Sequence, residues 1–249
     1  MDEDVADLSP VPVRRVERHP AAPAPSSDTW PSTIPAVRHL LTEGLDLDRC
    51  TVLVGANGVG KSTIIEAIAE CFGLGPEGGS TGAMHSTSRS ESPLHEWLRL
   101  VRGPGGSRWG YFVRAETMHG LFTYLQDTTY EVFHRRSHGE AFLDLLGTRR
   151  YEGDGLFVWD EPEAGLSFDA QLQLVAEVAV IASRPGAQVL LATHSPVLAA
   201  IPGARLIELS EDGMRQVGMR QVRWEDLSLV DHYRRFLDAP ERYLRHLLD

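Results

Sequence analysis

The chain has 249 residues, 42% of them hydrophobic, enough to bury one substantial core and arguing for a single α/β domain with an appendage rather than two independent domains. Its formal net charge of -11 argues against a surface that grips nucleic acid everywhere by neutralising phosphates, while a local arginine patch stays open. The two cysteines, Cys50 and Cys71, lack metal-type spacing and read as buried reduced thiols, so that no zinc site or disulfide is implied.

From the N-terminus, residues 1–10 read as an acidic, disordered tail, and residues 11–249 as one domain. The start lacks the basic and apolar regions of a signal peptide, and no later apolar run reaches the ~20 residues that span a bilayer. This predicts a cytoplasmic protein with no integral membrane segment. Val11 to Val16 reads as an edge strand, and the Pro/Ala/Ser stretch from Pro20 to Pro31 as a loop. Cys50 to Val54 is a short, β-branched apolar run that predicts a buried strand, and Ser62 to Phe72 places Ile65, Ile68 and Phe72 at helical spacing. Between them lies Gly55-Ala56-Asn57-Gly58-Val59-Gly60-Lys61-Ser62-Thr63, a complete G-x-x-x-x-G-K-[ST] loop.

Lys61 is the only lysine in the chain; every other basic residue apart from the histidines is arginine. Arginine is a wide planar fork, whereas a lysine ammonium is a compact point charge able to reach between phosphates from inside a tight loop. A chain that uses arginine everywhere else and keeps lysine here points to a nucleotide-phosphate site. In that context loop N–H groups and the helix N-terminus hold the phosphates, Lys61 neutralises them, and the Ser62 hydroxyl ligates Mg²⁺.

Further along, Trp109 to Ala115 predicts a strand that leads to Glu116. Ser137-His138-Gly139-Glu140 opens an apolar-periodic helix, Ala141 to Leu146, and taken alone is a helix cap. Gly155 to Trp159 predicts a strand ending in Asp160-Glu161-Pro162-Glu163. A solvated acidic turn would carry the same residues, but beside Lys61 two adjacent carboxylates have a use: Asp160 holds the metal and Glu161 orients or deprotonates water. The amphipathic stretch Phe168 to Ala182 precedes a third buried strand, Gln188 to Ala192, which ends in Thr193-His194-Ser195-Pro196. That puts His194 at the carboxyl edge where ligands of doubly wound sheets collect.

The order of a glycine-rich loop, a strand ending in Asp160-Glu161 and a strand ending in His194 resembles the ABC-type ATPase superfamily, and Ser137-His138-Gly139-Glu140 resembles a variant of its signature motif. The resemblance implies a P-loop NTPase with an ABC-type head: a mostly parallel sheet flanked by helices, an N-terminal β appendage and a small helical insertion at about 117–150. It also implies ATP and Mg²⁺ as ligands. Gly55 to Thr63 would hold phosphates, Ser62 and Asp160 the metal, Glu161 the water, and His194 would sense the γ-phosphate. Glu116 stands where relatives carry a metal-contacting glutamine, and a carboxylate serves Mg²⁺ as well. Ser137 and Gly139 would act in trans, on ATP bound to a second subunit.

Asp160-Glu161-Pro162-Glu163-Ala164-Gly165-Leu166-Ser167 resembles the stand-alone heads of the chromosome and repair branch, yet Thr117 to Arg136 is only twenty residues, about 30 Å of helix, too short for their coiled coil. The whole chain therefore resembles compact bacterial "AAA family" ATPases built as ABC-type heads, with Pro76 to Ser80, Ser92 to Glu96, Leu98 to Gly103 and Pro240 to Arg245 matching that group. The expected function is a soluble ATPase forming an ATP-dependent homodimer and acting on DNA or a protein partner, with Arg14, Arg15, Arg18, Arg135 and Arg136 as conceivable phosphate contacts. The alternatives are the nucleotide-binding subunit of an ABC transporter and a non-hydrolysing ATP-gated switch. For adenine, Trp30 is the only aromatic upstream of the loop, with packing at least as good a reading as stacking.

Overall fold

The computed structural model describes residues 11–81, 92–114, 151, 153–210 and 218–248. The tail, the insertion expected at 117–150, and with it Glu116, Ser137, Gly139, Arg135 and Arg136, lie outside the described residues. In chain order the principal elements are β1 (Arg15–Arg18), α1 (Pro35–Glu43), β2 (Leu45–Asp46), β3 (Cys50–Val54), α2 (Lys61–Phe72), β4 (Gly79–Ser80), α3 (Leu94–Trp97), β5 (Leu98–Val101) and β6 (Gly110–Arg114). Then follow β7 (Gly155–Asp160), α4 (Phe168–Ser183), β8 (Ala187–Thr193), β9 (Arg205–Leu209), β10 (Met219–Val222), α5 (Ser228–Asp238) and α6 (Pro240–Leu248).

Seven strands form one sheet in the order β10-β9-β3-β8-β7-β6-β4. The five inner strands run parallel, and β10 and β4 close the edges antiparallel. β3, β7 and β8 are buried along their whole length, which is why they read as unbroken apolar runs: both faces of the sheet are covered. The pleat then sorts the side chains. Val52, Val54, Phe157, Trp159, Val189 and Leu191 pack on one face with Leu174, Val178 and Ile181 of α4. Leu53, Leu156, Val158, Leu190 and Ala192 pack on the other with Ile64, Ile65, Ile68 and Phe72 of α2. Cys50 lies in the first of these layers, and burial pushes its thiol, like that of Cys71, up to about 12, so neither thiol ionises at neutral pH.

A second, three-stranded antiparallel sheet, β2-β1-β5, carries the N-terminal segment. Here the sequence reading is corrected twice. The strand begins at Arg15 rather than Val11, and it lies in the centre of its sheet rather than at an edge. The cause is the buried amide of Gln188 on β8, which accepts from the Val13 N–H at 2.9 Å and donates to the Val13 and Asp48 carbonyls at 2.6 and 3.0 Å. Val13 therefore finds its backbone partners on a side chain of the large sheet, and strand pairing starts only beyond it. Trp30 is 47% exposed, so its ring does not serve the core. Arg15 is engaged within the chain, by Asp46 at 2.6 Å and Glu17 at 3.2 Å. Among the described residues no helix is long and apolar enough to cross a membrane.

The Gln188 clamp is testable. Gln188→Leu keeps the volume but leaves one buried N–H and two carbonyls without partners, which should cost about 2–4 kcal/mol in urea unfolding without changing the m-value. An unchanged midpoint would show that the clamp is dispensable.

Candidate functional site

β3 ends at Val54 and the chain turns through the glycine-rich loop into α2. Gly58 and Gly60 hold φ of 87° and 99°, a left-handed backbone that glycine adopts without strain. At Gly60 space matters as well, because a Cβ would stand 2.8 Å from Ile34 Cγ2. The first hydrogen bond of the helix is Ile64 N–H to the Gly60 carbonyl, so the N–H groups of Lys61, Ser62 and Thr63 precede it and face out of the helix N-terminus. With the dipole behind them, they form a ready-made anion cradle.

Lys61 is only 3% exposed. Its ammonium donates to the Gly55 and Ala56 carbonyls at 2.9 and 3.0 Å and stands 3.4 Å from Glu161 Oε1. A buried cation is tolerated only with such compensation. One residue on, the Ser62 hydroxyl donates to Asp160 Oδ1 at 3.1 Å, bridging the start of α2 and the end of β7. Asp160 is 6% exposed, and burial raises its pKa to about 6 despite the Ser62 hydrogen bond and the positive charges of Arg114 and Lys61. A hydroxyl and a carboxylate oxygen side by side, with the carboxylate's charge poorly solvated, are a donor set suited to Mg²⁺.

Glu161, directly after β7, has φ of 50°, the one positive φ outside glycine among the described residues. Such a conformation is uncommon and persists where the surroundings over-determine it. Here the Glu161 N–H is held by the Ala192 carbonyl at 2.9 Å, and Pro162 prevents the strand from continuing. The carboxylate is thereby aimed between Lys61 and His194, whose Nδ1 lies 3.5 Å from Glu161 Oε1. β8 delivers His194, the strand lying between β3 and β7 in the sheet. Lys61, Ser62, Asp160, Glu161 and His194 thus converge at the carboxyl ends of three adjacent parallel strands, as their sequence positions implied.

Two residues were missed in the sequence. Arg114, at the end of β6, stands opposite Asp160 in register and places Nε 3.8 Å from Asp160 Oδ2 while binding Glu66 of α2 at 3.1 Å. Glu163 is 6% exposed and accepts from the Thr193 hydroxyl at 2.5 Å and the His194 N–H at 2.8 Å. The available signal was weak: an arginine ending a strand beside a carboxylate strand, and a second glutamate after Pro162.

Residues 141–200 match the family model described as "AAA domain, putative AbiEii toxin, Type IV TA system". An "Uncharacterized ABC transporter ATP-binding protein" of Haemophilus influenzae is 23% identical over 230 residues, covering 82% of this chain and 84% of its own. The zinc import ATP-binding protein ZnuC of Vibrio cholerae is 28% identical over 169 residues, covering 64% of this chain and 60% of its own. Among solved structures, the SMC head domain from Thermotoga maritima aligns with a TM-score of 0.41 at 14% identity, covering 72% of this chain and 93% of that one.

The burial of Asp160 has a measurable consequence. Its folded pKa of about 6 lies above the ordinary value of 3.8, so the folded state holds the proton more tightly and this group's contribution to stability declines as pH rises from about 4 to about 6. Asparagine carries no charge and escapes that loss. With no nucleotide or metal present, Asp160→Asn should therefore be more stable than wild type by on the order of 2 kcal/mol at about pH 8, the advantage vanishing near pH 4. Urea midpoints at the two pH values check this.

Proposed function

We propose that this chain, an ABC-type P-loop ATPase in fold and in sequence kinship, binds Mg-ATP at the Lys61 loop and hydrolyses it in a head-to-tail homodimer. The observation that carries the reading is the line from Lys61 through Glu161 to His194, set beside the Ser62–Asp160 pair on neighbouring strands.

In this reading the N–H groups at the start of α2 receive the phosphate oxygens, and the Lys61 ammonium exchanges its loop carbonyls for them. Ser62 and Asp160 hold Mg²⁺, which when bound neutralises charge developing on the phosphate oxygens. Glu161 orients a water and takes its proton as the water oxygen bonds to the γ-phosphorus and the bond to the leaving oxygen of ADP breaks. His194, beside Glu161, reads whether the γ-phosphate is present. Ser137 and Gly139 of a second subunit complete the cradle, and Glu116 supplies a further carboxylate to the metal. Closure and opening of the dimer would then act on DNA or a protein partner.

Transport is the second reading, favoured by the relatives named as ABC transporter and zinc import ATP-binding proteins. It requires a membrane partner, and recovery of the native protein in the membrane fraction, bound to an integral membrane protein, would support it over the first.

Glu161→Gln should bind ATP within about threefold of wild type yet lose turnover by 10²–10⁴-fold, and it should dimerise in ATP and Mg²⁺ by light scattering. Equal turnover in variant and wild type would remove Glu161 from its role. Lys61→Arg keeps the charge but forces a planar fork into a point-charge site, and should weaken ATP binding at least about tenfold by calorimetry.

A further inference from the structure

His194 is useful to any reaction at this site only if its ring is held beside Glu161, and an exposed histidine after a strand has no intrinsic reason to stay there. Its side chain is 45% exposed. The fixing comes from behind. The carboxylate of Glu163, 6% exposed, turns Oε1 toward the end of β8, where it accepts from Thr193 Oγ1 at 2.5 Å and from the His194 N–H at 2.8 Å, and lies 3.4 Å from His194 Nδ1. Every hydrogen bond and ion pair this carboxylate makes among the described residues goes to Thr193 or His194.

The flanks are locked in turn. The Thr193 hydroxyl, having donated to Glu163, accepts from the Ser195 N–H at 2.9 Å. Ser195 Oγ donates to Gln171 of α4 at 2.6 Å and accepts from the N–H groups of Val197 and Leu198 at 3.1 and 3.3 Å. The Pro196 carbonyl accepts from Trp224 Nε1 at 2.8 Å. His194 therefore sits in a turn whose two sides are anchored independently, one on Glu163 and one on α4 and the segment before α5. On its inner side Nδ1 lies between two carboxylates, Glu161 at 3.5 Å and Glu163 at 3.4 Å.

A buried carboxylate is costly unless it is hydrogen-bonded, and this one bonds through Oε1 alone, its Oε2 being buried with no hydrogen-bond partner among the described residues. A structural acid would spread its bonds over the scaffold; this one spends them on a single turn. We infer that Glu163 is a positioning residue for ATP cleavage: it holds the Thr193–His194 turn so that the imidazole stands against Glu161. The inference rests on the hydrolytic reading above. Among the described residues Glu163 makes no side-chain hydrogen bond or ion pair to the glycine-rich loop, so its effect falls on the chemical step and passes through His194.

Glu163→Gln keeps size and one acceptor oxygen but removes the charge that makes these hydrogen bonds strong. In the full chain, the variant should bind a non-hydrolysable ATP analogue with Mg²⁺ within about twofold of wild type, while single-turnover cleavage slows about 10- to 100-fold. In a His194→Ala background the same substitution should change cleavage less than about twofold, because the residue through which it acts is gone. Independently of any activity, NMR hydrogen exchange of the His194 amide in nucleotide-free protein should be about tenfold faster in Glu163→Gln.

Cleavage by Glu163→Gln within twofold of wild type, or an equal loss with and without His194, overturns the inference. So does an unchanged His194 amide, whatever the activities. If the wild type does not cleave ATP at all, the hydrolytic reading fails instead, and the exchange measurement still decides whether Glu163 holds the turn.

Discussion

Placing an ammonium where water barely reaches is the demand around which this molecule is arranged. Lys61, at 3% exposure, must be compensated by fixed groups, and the nearest are loop carbonyls and the Glu161 carboxylate. That carboxylate must come from another strand, because the loop is all glycine, small residues and asparagine. Its strand must end level with the loop, which the parallel register of β3, β8 and β7 provides. Each further charge then needs its own partner: Asp160 draws on Ser62 and Arg114, and Arg114 on Glu66. The site is one alternating network of charges, in which each member finds partners on a neighbouring element.

The parts of this network written in contiguous residues were legible in the sequence. The loop and its helix announce themselves by glycine spacing and by apolar residues at helical spacing, and β3, β7 and β8 by unbroken apolar runs. Their boundaries agree with the expected ones to within a residue. What stayed hidden depends on who lies beside whom. Arg114 matters because β6 neighbours β7, and Glu163 because β8 does; no local pattern encodes sheet order. Gln188 looked like the polar start of an apolar strand, yet it sets where β1 begins. The left-handed φ of Glu161 is likewise imposed by the Ala192 carbonyl of the next strand, not by glutamate's own preference.

This division explains why the fold class was readable while the roles of individual side chains were only partly so. A buried parallel sheet is specified redundantly, by many apolar residues that substitute for one another. A polar contact across strands has no such redundancy. Arg114 and Glu163 each act on a residue that the sequence does mark, Asp160 and His194, so reading outward from a recognised motif along the sheet is the route by which such supporting residues are found.

The Gln188 clamp joins residues 175 positions apart, and β3, at the heart of the large sheet, pairs with β8 and β9, both more than 130 residues downstream. Such long separations give the chain a high contact order, and loops this large must close before their contacts repay the entropy lost. During synthesis β3 and the glycine-rich loop emerge well before β8 and β9 and wait, without those sheet partners, until both have been made. The cluster at the carboxyl edge of the sheet therefore cannot form before β8 has been made, and the stretch from Cys50 to Phe72 is where a stalled or truncated chain is most exposed to aggregation and to quality-control proteolysis.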